Sequence, residues 1–262
     1  MTVTTNSGGK LEARASAGAG ASWIALGLGA LALLAVPIAG FGTKHGYWGW
    51  QQGLYGGFFT ALFDAVAALL VGVSALFRAL TRGGRGRAVI RAVASLVIGL
   101  SALGIFVYWT QIELPSVPRI HDISTDSADP PAFVTLAETR KHLPPPVNPT
   151  GYDPADAAQQ AKGYPDIKPA LLDMPPAAAF AKALVAAKAV GWQVVASDAK
   201  AGRIEATQTS FWMGFTDDIV IRVRADGNKS KVDVRSQSRV GGSDFGANAK
   251  RIRRYLQQLE TA

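Results

Sequence analysis

Three long apolar runs dominate the first 110 residues, at about 23–41, 54–77 and 92–109. A helix needs roughly 20 apolar residues to cross the ~30 Å hydrocarbon core of a bilayer. The pattern therefore predicts a transmembrane module over residues 22–110 with three spans. Beyond it, apolar and polar residues mix as in soluble proteins, so we expect one soluble domain over residues 111–262.

The first span is predicted to remain in the mature protein. The polar tail before it, residues 1–21, is long and weakly charged, and no clear small-residue cleavage site marks the start of a mature chain. These features favour a membrane span over a cleaved signal peptide.

The orientation of the spans is predicted by arginine. Five arginines crowd the second loop: Arg78, Arg82, Arg85, Arg87 and Arg91. The first loop has only Lys44, and short arginine-rich loops stay in the cytoplasm. We therefore expect a cytoplasmic N-terminus and an extracytoplasmic domain over residues 111–262. The Arg-Gly-Gly-Arg run at 82–85 is interpreted as part of this signal rather than as a nucleic-acid motif.

Two features stand out within the second span. Small residues recur every four positions, at Gly49, Gly53, Gly57, Ala61 and Ala65. Such a stripe lets helices approach closely in lipid, either within the chain or in self-association through Gly49, Gly53 and Gly57. Asp64 is an intramembrane carboxyl, which is costly in lipid and faces a bundle interior or an aqueous cavity. It either helps the spans associate or serves as a proton or ion relay.

The soluble domain is predicted to be α+β. Prolines interrupt residues 111–176, so we expect an extended wrap with short helical turns at most. The following pattern predicts a helix at 177–190, strands at 192–197, 203–209, 218–225 and 231–240, and a helix at 243–259 capped by Ser243. The expected fold is an antiparallel four-stranded sheet with two helices on one face.

The last two strands alternate between apolar and charged residues. Asp226-Gly227 predicts a hairpin turn between them. With Val223 opposite Val232, Arg222 lies opposite Asp233, and cross-strand ion pairing then accounts for much of the charged face.

Charge and composition exclude several classes of function. Of the net +8, the first 110 residues contribute +6, which matches membrane orientation rather than nucleic-acid binding. The chain has no cysteine, so a disulfide, a zinc-thiolate site or a thiol nucleophile is impossible. We expect no cofactor and no nucleic-acid partner.

Seven short runs resemble a known family: IHDISTD at 120–126, PPAF at 130–133, YPDI at 164–167, RIEAT at 203–207, FTDDIVIR at 215–222, VDVRSQSRVG at 232–241 and SDFGANAKRI at 243–252. Together they resemble DUF1499, a bacterial and plastid domain of unknown function. The resemblance spans about residues 115–260. It implies that the Pro-rich wrap belongs to the domain, and it implies no particular chemistry.

One dense polar cluster is the candidate ligand-binding site: Asp217, Asp218, Arg222, Arg235, Ser236, Arg239, Asp244 and Asn248. Paired carboxylates with arginines suit acid-base chemistry or an anionic headgroup. No histidine follows His142 and no nucleophile–base pair is evident, so a salt-bridged structural cluster is the favoured interpretation.

A second group is considered for metal: His121, Asp122, Asp126 and Asp129. Its spacing lacks the glycine and terminal glutamate of a calcium loop. Local hydrogen bonds that shape a Pro-rich loop explain these residues more simply, so no metal site is predicted.

The leading hypothesis is a membrane-tethered extracytoplasmic binding or interaction domain that works in envelope maintenance, in the inner membrane of a bacterium. Its expected partners are the lipid bilayer and an envelope protein or anionic lipid. The alternatives are a hydrolase built on the Asp/Arg cluster, or an accessory subunit of a transport or assembly complex in which Asp64 is functional.

Overall fold

The computed structural model describes residues 7–81 and 86–261, with side chains from residue 20 onward. Arg82 and Arg85 of the predicted orientation signal lie outside the described residues. The chain forms two compact units. The first comprises Met1–Glu113 with Trp212–Gly214, and the second comprises Leu114–Phe211 with Phe215–Ala262.

The first unit is helical. Its elements are α1 (Ser7–Lys44), a π-helical turn (Gln52–Gly56), α2 (Gly57–Thr81), α3 (Gly86–Tyr108) and a second π-helical turn (Trp109–Glu113). Three described segments are long and apolar enough to cross a membrane, namely Gly20–Lys44, Gln52–Thr81 and Gly86–Ser116. The three predicted apolar helices are thus confirmed.

Small residues bring these helices together. A Cβ atom added to Gly57 would lie 2.4 Å from the Cβ of Ala39, so α1 and α2 approach closely at this point. Gly99 of α3 meets Leu69 and the backbone of Ala65 in the same way, at 3.1–3.2 Å. Because lipid supplies no hydrophobic driving force between helices, such close van der Waals contact is what holds a membrane bundle together.

The second unit is α+β, as predicted. Its elements are α4 (Leu114–Ser116), β1 (Asp122–Ser124), α5 (Thr135–Lys141), α6 (Pro154–Gly163), β2 (Ala170–Leu172), α7 (Pro176–Ala189), β3 (Gln193–Asp198), β4 (Arg203–Thr209), β5 (Thr216–Asp226), β6 (Lys229–Ser238) and α8 (Ala247–Thr261). The strands form one antiparallel sheet in the order β1-β6-β5-β4-β3, and β2 pairs with the other end of β6.

The sheet has six strands in the described residues rather than the predicted four. β1 and β2 were missed because each is three residues long and lies in the Pro-rich wrap, where no alternation is visible. The wrap also contains the ten-residue helix α6. The sequence signal for this helix was Asp153 followed by Pro154, a residue pair typical of a helix start. In the structure, Asp153 accepts a hydrogen bond from the Ala155 amide at 2.9 Å, and Pro154 occupies the first helical position.

The predicted hairpin register is confirmed. Val223 pairs with Val232 and Arg222 with Asp233. One face of the sheet, here called the helix face, packs under α7 and α8. Its core includes Ile219, Ile221, Val232, Val234, Ile252, Tyr255 and Leu259. Trp192 stacks on Tyr255 with ring centroids 4.8 Å apart.

The opposite face, here called the wrap face, is covered by residues 122–152. Phe133 and Leu136 pack against Val220 at its centre. The predicted helices α7 and α8 cover only the helix face. On the wrap face the charged side chains are buried beneath residues 122–152, including Asp218, Asp233 and Arg235.

Candidate functional site

The structure divides the predicted polar cluster between the two faces of the sheet. Asp217 and Ser236 lie on the helix face, whereas Asp218, Arg222 and Arg235 lie on the wrap face. The predicted strand began at Asp218, whereas β5 begins at Thr216. Asp217 and Asp218 therefore both lie within the strand and are buried, and alternation sends their side chains in opposite directions.

Arg235 forms a closed ion pair with Asp122. Its Nε and Nη2 donate to the carboxylate at 2.9 and 2.6 Å, and the two side chains are only 3% and 2% exposed. Gln237 donates to the same carboxylate at 2.9 Å. The guanidinium lies 4.9 Å from the ring centroid of Phe133. The charges of Asp122 and Arg235 are thus both satisfied within the domain.

Tyr152 covers this pair from the wrap. The Arg235 guanidinium lies 5.4 Å from the centroid of its ring. Burial, together with nearby carboxylates, raises the pKa of Tyr152 to about 12. The phenol therefore stays protonated at neutral pH.

Asp218 joins the wrap to the sheet. It accepts from Arg140 Nε at 2.6 Å and from Arg239 Nη2 at 2.8 Å. Burial lowers the pKa of Arg140, although the adjacent Asp218 carboxylate opposes this shift. Because Arg140 belongs to α5, this pair fixes that helix over β5.

Asp233 anchors a third group of charges. Arg222 and Arg224 donate to it at 2.9 and 3.0 Å. Arg222, Arg235 and Arg239 thus reach three different carboxylates, those of Asp233, Asp122 and Asp218, and do not converge on a common point.

The residues considered for metal binding are distributed among these cations. Asp126 accepts from Lys231 at 2.7 Å, and Asp129 accepts from Arg224 at 2.7 Å. Burial acts to raise the pKa of Asp126, but hydrogen bonds and the charge of Lys231 lower it overall. The Arg224 hydrogen bond lowers the pKa of Asp129. No group of three or more potential metal ligands occurs in the part of the chain that the structure describes.

Glu205 is an important residue that the sequence reasoning missed. Its fully buried carboxylate accepts from the amides of Val134, Thr135 and Leu136 at 2.8–3.1 Å. It therefore caps α5 from a strand about 70 residues away along the chain. No local spacing signals such a contact.

On the helix face, Arg251 of α8 organises the remaining members of the cluster. It donates to Asp217 at 2.5 Å and to Gln208 at 2.7 Å, and it also contacts Ser236 and Asn248. Arg251 was not part of the predicted cluster. Its position three residues after Asn248 was the available signal.

Asp244, not Ser243, caps the final helix. Its carboxylate accepts from the amides of Gly246 and Asn248 at 2.7 and 2.9 Å, and α8 begins at Ala247. Burial raises the pKa of Asp244, against the effect of these two hydrogen bonds. The role of Asp244 is therefore structural.

A basic recess lies beside this network. It has a volume of about 190 Å³ and is lined by Val190, Trp192, Gln208, Ala247, Lys250, Arg251 and Arg254. Lys250 and Arg254 are exposed, and no carboxylate of the described residues lies within 4.0 Å of either. The recess thus holds positive charge that the domain does not neutralise.

In the membrane unit, Asp64 is buried on α2. It lines a cavity of about 590 Å³ between α1 and α2. Of the predicted small-residue stripe, Gly53 and Gly57 are buried against α1 of the same chain, while Gly49 precedes the helical turn. Self-association through these glycines stays a prediction.

Comparison with known protein families gives a match. The family model described as a protein of unknown function, DUF1499, matches residues 122–259. No curated protein matches the chain. The matched segment begins at β1 and ends in α8, so it includes the wrap, both faces of the sheet and the basic recess.

Proposed function

We propose that this chain, which belongs to the DUF1499 family of proteins of unknown function, is a membrane-anchored binding protein that holds an anionic phosphate group. The basic recess beside α8 carries this proposal. The three membrane-crossing helices would keep the binding domain at the bilayer surface.

The cations of the recess are arranged for an oxyanion. Lys250 and Arg254 are four residues apart on α8, so they lie on the same side of the helix. Arg251 is fixed between them by Asp217 and Gln208. A planar guanidinium takes two oxygens of a phosphate at once, and the lysine ammonium adds a flexible third contact.

The arrangement of the carboxylates favours binding over hydrolysis. An Asp/Arg hydrolase needs a carboxylate that can reach the substrate. Asp217 and Asp218 instead point to opposite faces, and each is held by arginine. The recess offers cations and an amide, which suit recognition of an anion.

The binding test uses the full chain in a neutral detergent. Calorimetric titrations would compare short-chain phosphatidic acid, short-chain phosphatidylcholine and inorganic phosphate. We expect phosphatidic acid to bind with an affinity that falls with added salt. The Lys250→Gln/Arg254→Gln variant should bind about thirtyfold more weakly, since each cation contributes on the order of 1 kcal/mol near an anionic headgroup.

The matched control is Lys200→Gln/Lys229→Gln, which removes the same charge from two exposed positions, in the β3–β4 turn and at the start of β6, far along the sheet from the recess. It should bind like the unmodified protein. Equal loss in both double variants would overturn the recess and leave only a general charge effect. Equal binding of inorganic phosphate and phosphatidic acid would identify a free anion as the ligand.

The same proposal includes a topology. The arginine-rich loop and the N-terminus would be cytoplasmic, and the domain would lie outside the cytoplasm in a bacterial inner membrane. A reporter fused after Glu260 should be active only outside the cytoplasm, and one inserted at Gly84, outside the described residues, only inside. The opposite pattern would overturn the topology without affecting the binding test.

A further inference from the structure

The membrane unit contains a second candidate site with the opposite charge requirement. The cavity between α1 and α2 has a volume of about 590 Å³, within the usual range for small-molecule sites. From α1 it is lined by Leu31, Ala35, Ile38 and Ala39. From the α2 side it is lined by Gly56, Thr60 and Asp64, which lie four residues apart along one side of the helix.

Asp64 places a carboxyl group at one end of this cavity. It is 8% exposed, and no hydrogen bond to its carboxyl occurs among the described residues. A carboxylate in hydrocarbon costs several kcal/mol unless a donor or a cation meets it. Since the chain supplies neither in its described part, a ligand that brings an N–H group would satisfy Asp64.

Glycines shape the walls of this cavity in two different ways. A Cβ atom at Gly53 would lie 1.8 Å from Thr43 Oγ1, and one at Gly57 would lie 2.4 Å from Ala39 Cβ. These two positions therefore let the helices approach. At Gly56 a Cβ atom would meet nothing within 4 Å. Gly56 thus borders free volume, and a larger side chain there would enter it without a backbone clash.

The cavity also has a polar mouth. Tyr47, Trp48 and Gln52 line the end opposite Asp64. Gly56 and Asp64 are eight residues apart, or about 12 Å along a helix. Aromatic side chains of this kind lie at the membrane–water interface. A ligand can therefore enter from the interface and extend along the apolar wall.

We infer that this cavity binds a long-chain amphiphile with a primary amine, whose ammonium group meets Asp64 and whose hydrocarbon chain lies against Leu31 and Ile38. The carboxylate selects the positive charge and the N–H donors, and the α1 wall selects the chain. This site is independent of the phosphate recess, because it lies in the other unit and requires a cation.

The test uses the full chain in phosphatidylcholine nanodiscs and a diazirine-labelled hexadecylamine. After irradiation, peptide mapping should place the label on α1 and α2. The trimethylammonium analogue has the same charge and chain but no N–H donor. We expect about tenfold less labelling with it, because the trimethylammonium group cannot donate a hydrogen bond to the carboxylate.

Two variants should abolish the preference for the amine. Asp64→Asn removes the charge with little change of volume, and Gly56→Leu fills the free space. Gly104→Leu is the control, because Gly104 lies in α3, is exposed and also has nothing within 4 Å of an added Cβ. Size-exclusion profiles would confirm that each variant folds.

Labelling that is equal for both probes, or unchanged in Asp64→Asn, would overturn the inference. A photoreactive residue placed at Thr60 in native membranes tests other occupants. Cross-links to small amphiphiles would support the site. Cross-links to a second copy or to another protein would show that a helix fills the cavity, and the inference would fail.

Discussion

The two faces of the sheet are both buried, but by different chemistry. The helix face is closed by aliphatic and aromatic side chains from α7 and α8, around Ile221 and Tyr255. The wrap face is closed by ion pairs whose carboxylates, such as Asp122, Asp218 and Asp233, are nearly inaccessible. Apolar packing tolerates many changes of shape, whereas a buried charge requires its own partner. The two faces should therefore respond differently to substitution.

The largest difference is expected at Arg235. Arg235→Gln would leave the Asp122 carboxylate buried beside a neutral amide, and breaking a buried pair costs about 3–5 kcal/mol. Thermal and denaturant unfolding of the full chain would measure the loss. Arg224→Gln is the control, because that side chain is 40% exposed and its pairs are screened by solvent. Similar losses in both variants would mean that the wrap does not isolate the Asp122 pair from water.

Ile221→Ala tests the helix face. Ile221 is fully buried, and deletion of its methyl and methylene groups should cost about 2–4 kcal/mol through lost burial and a cavity. Val185→Ala on the exposed side of α7 should cost less than about 0.5 kcal/mol. The same unfolding experiments apply. A loss at Ile221 that exceeds the loss at Arg235 would reverse the order proposed here for the two faces.

Glu205→Gln tests how firmly the wrap is attached. The carboxylate accepts hydrogen bonds from three backbone amides at the start of α5, and it also lies 3.2 Å from Arg203 Nε. Loss of its charge should cost about 1–2 kcal/mol, as for other helix caps. Glu138→Gln makes the same chemical change on the exposed side of α5 and should have no measurable effect. If both variants unfold at the temperature of the unmodified protein, Glu205 does not stabilise the wrap.

The smallest effect is expected in the response to acid. The pKa of Asp126 is lowered in the folded protein, so its contribution is present above the unfolded pKa of about 4 and is lost as the pH falls through the folded value. Burial raises the pKa of Asp244 in the folded protein. The stability that Asp244 contributes is therefore fully present below its unfolded pKa and is lost as the pH rises through the folded value. As the pH falls, the contacts of the wrap should thus weaken earlier than the contacts at the start of α8.

Melting temperatures from pH 7 to pH 3 would check this sign. The difference between the unmodified protein and Asp126→Asn should shrink as the pH falls. Asp226→Asn is the control, because Asp226 is exposed at the end of β5 and, although it lies opposite Lys229 in the sheet, no cation of the described residues lies within 4.0 Å of its carboxylate. A constant difference for Asp126→Asn would contradict the assignment.

Local pattern predicted the parts of the fold that depend on neighbouring residues. The alternation around Asp226-Gly227 predicted the pairing of Arg222 with Asp233, and the apolar stripe predicted α8. The orientation of Asp217 was not predictable in this way. The predicted strand began at Asp218, so Asp217 was assigned to neither face. β5 begins at Thr216, and alternation then places the two carboxylates on opposite faces.

The contacts of the wrap face could not be predicted from spacing. Asp122 meets Arg235 and Glu205 meets α5 across most of the length of the domain. The family resemblance indicated that the wrap belongs to the domain, but not that it buries charge. For the basic recess, the sequence showed that α8 is cationic. It did not show which cations the domain neutralises, because the partner of Arg253, Asp166, lies 87 residues away.

The pairing of β1 with β6 also bears on the order of folding during synthesis. Asp122 and Arg235 are 113 residues apart, so the first strand to leave the ribosome can pair only after the last strand has emerged. Closing a loop of that length is entropically costly, and long-range pairing slows folding. Residues 122–152 therefore cannot complete their ladder or neutralise their carboxylates until β6 has emerged. We expect the domain to fold in one late step rather than progressively from its N-terminal end.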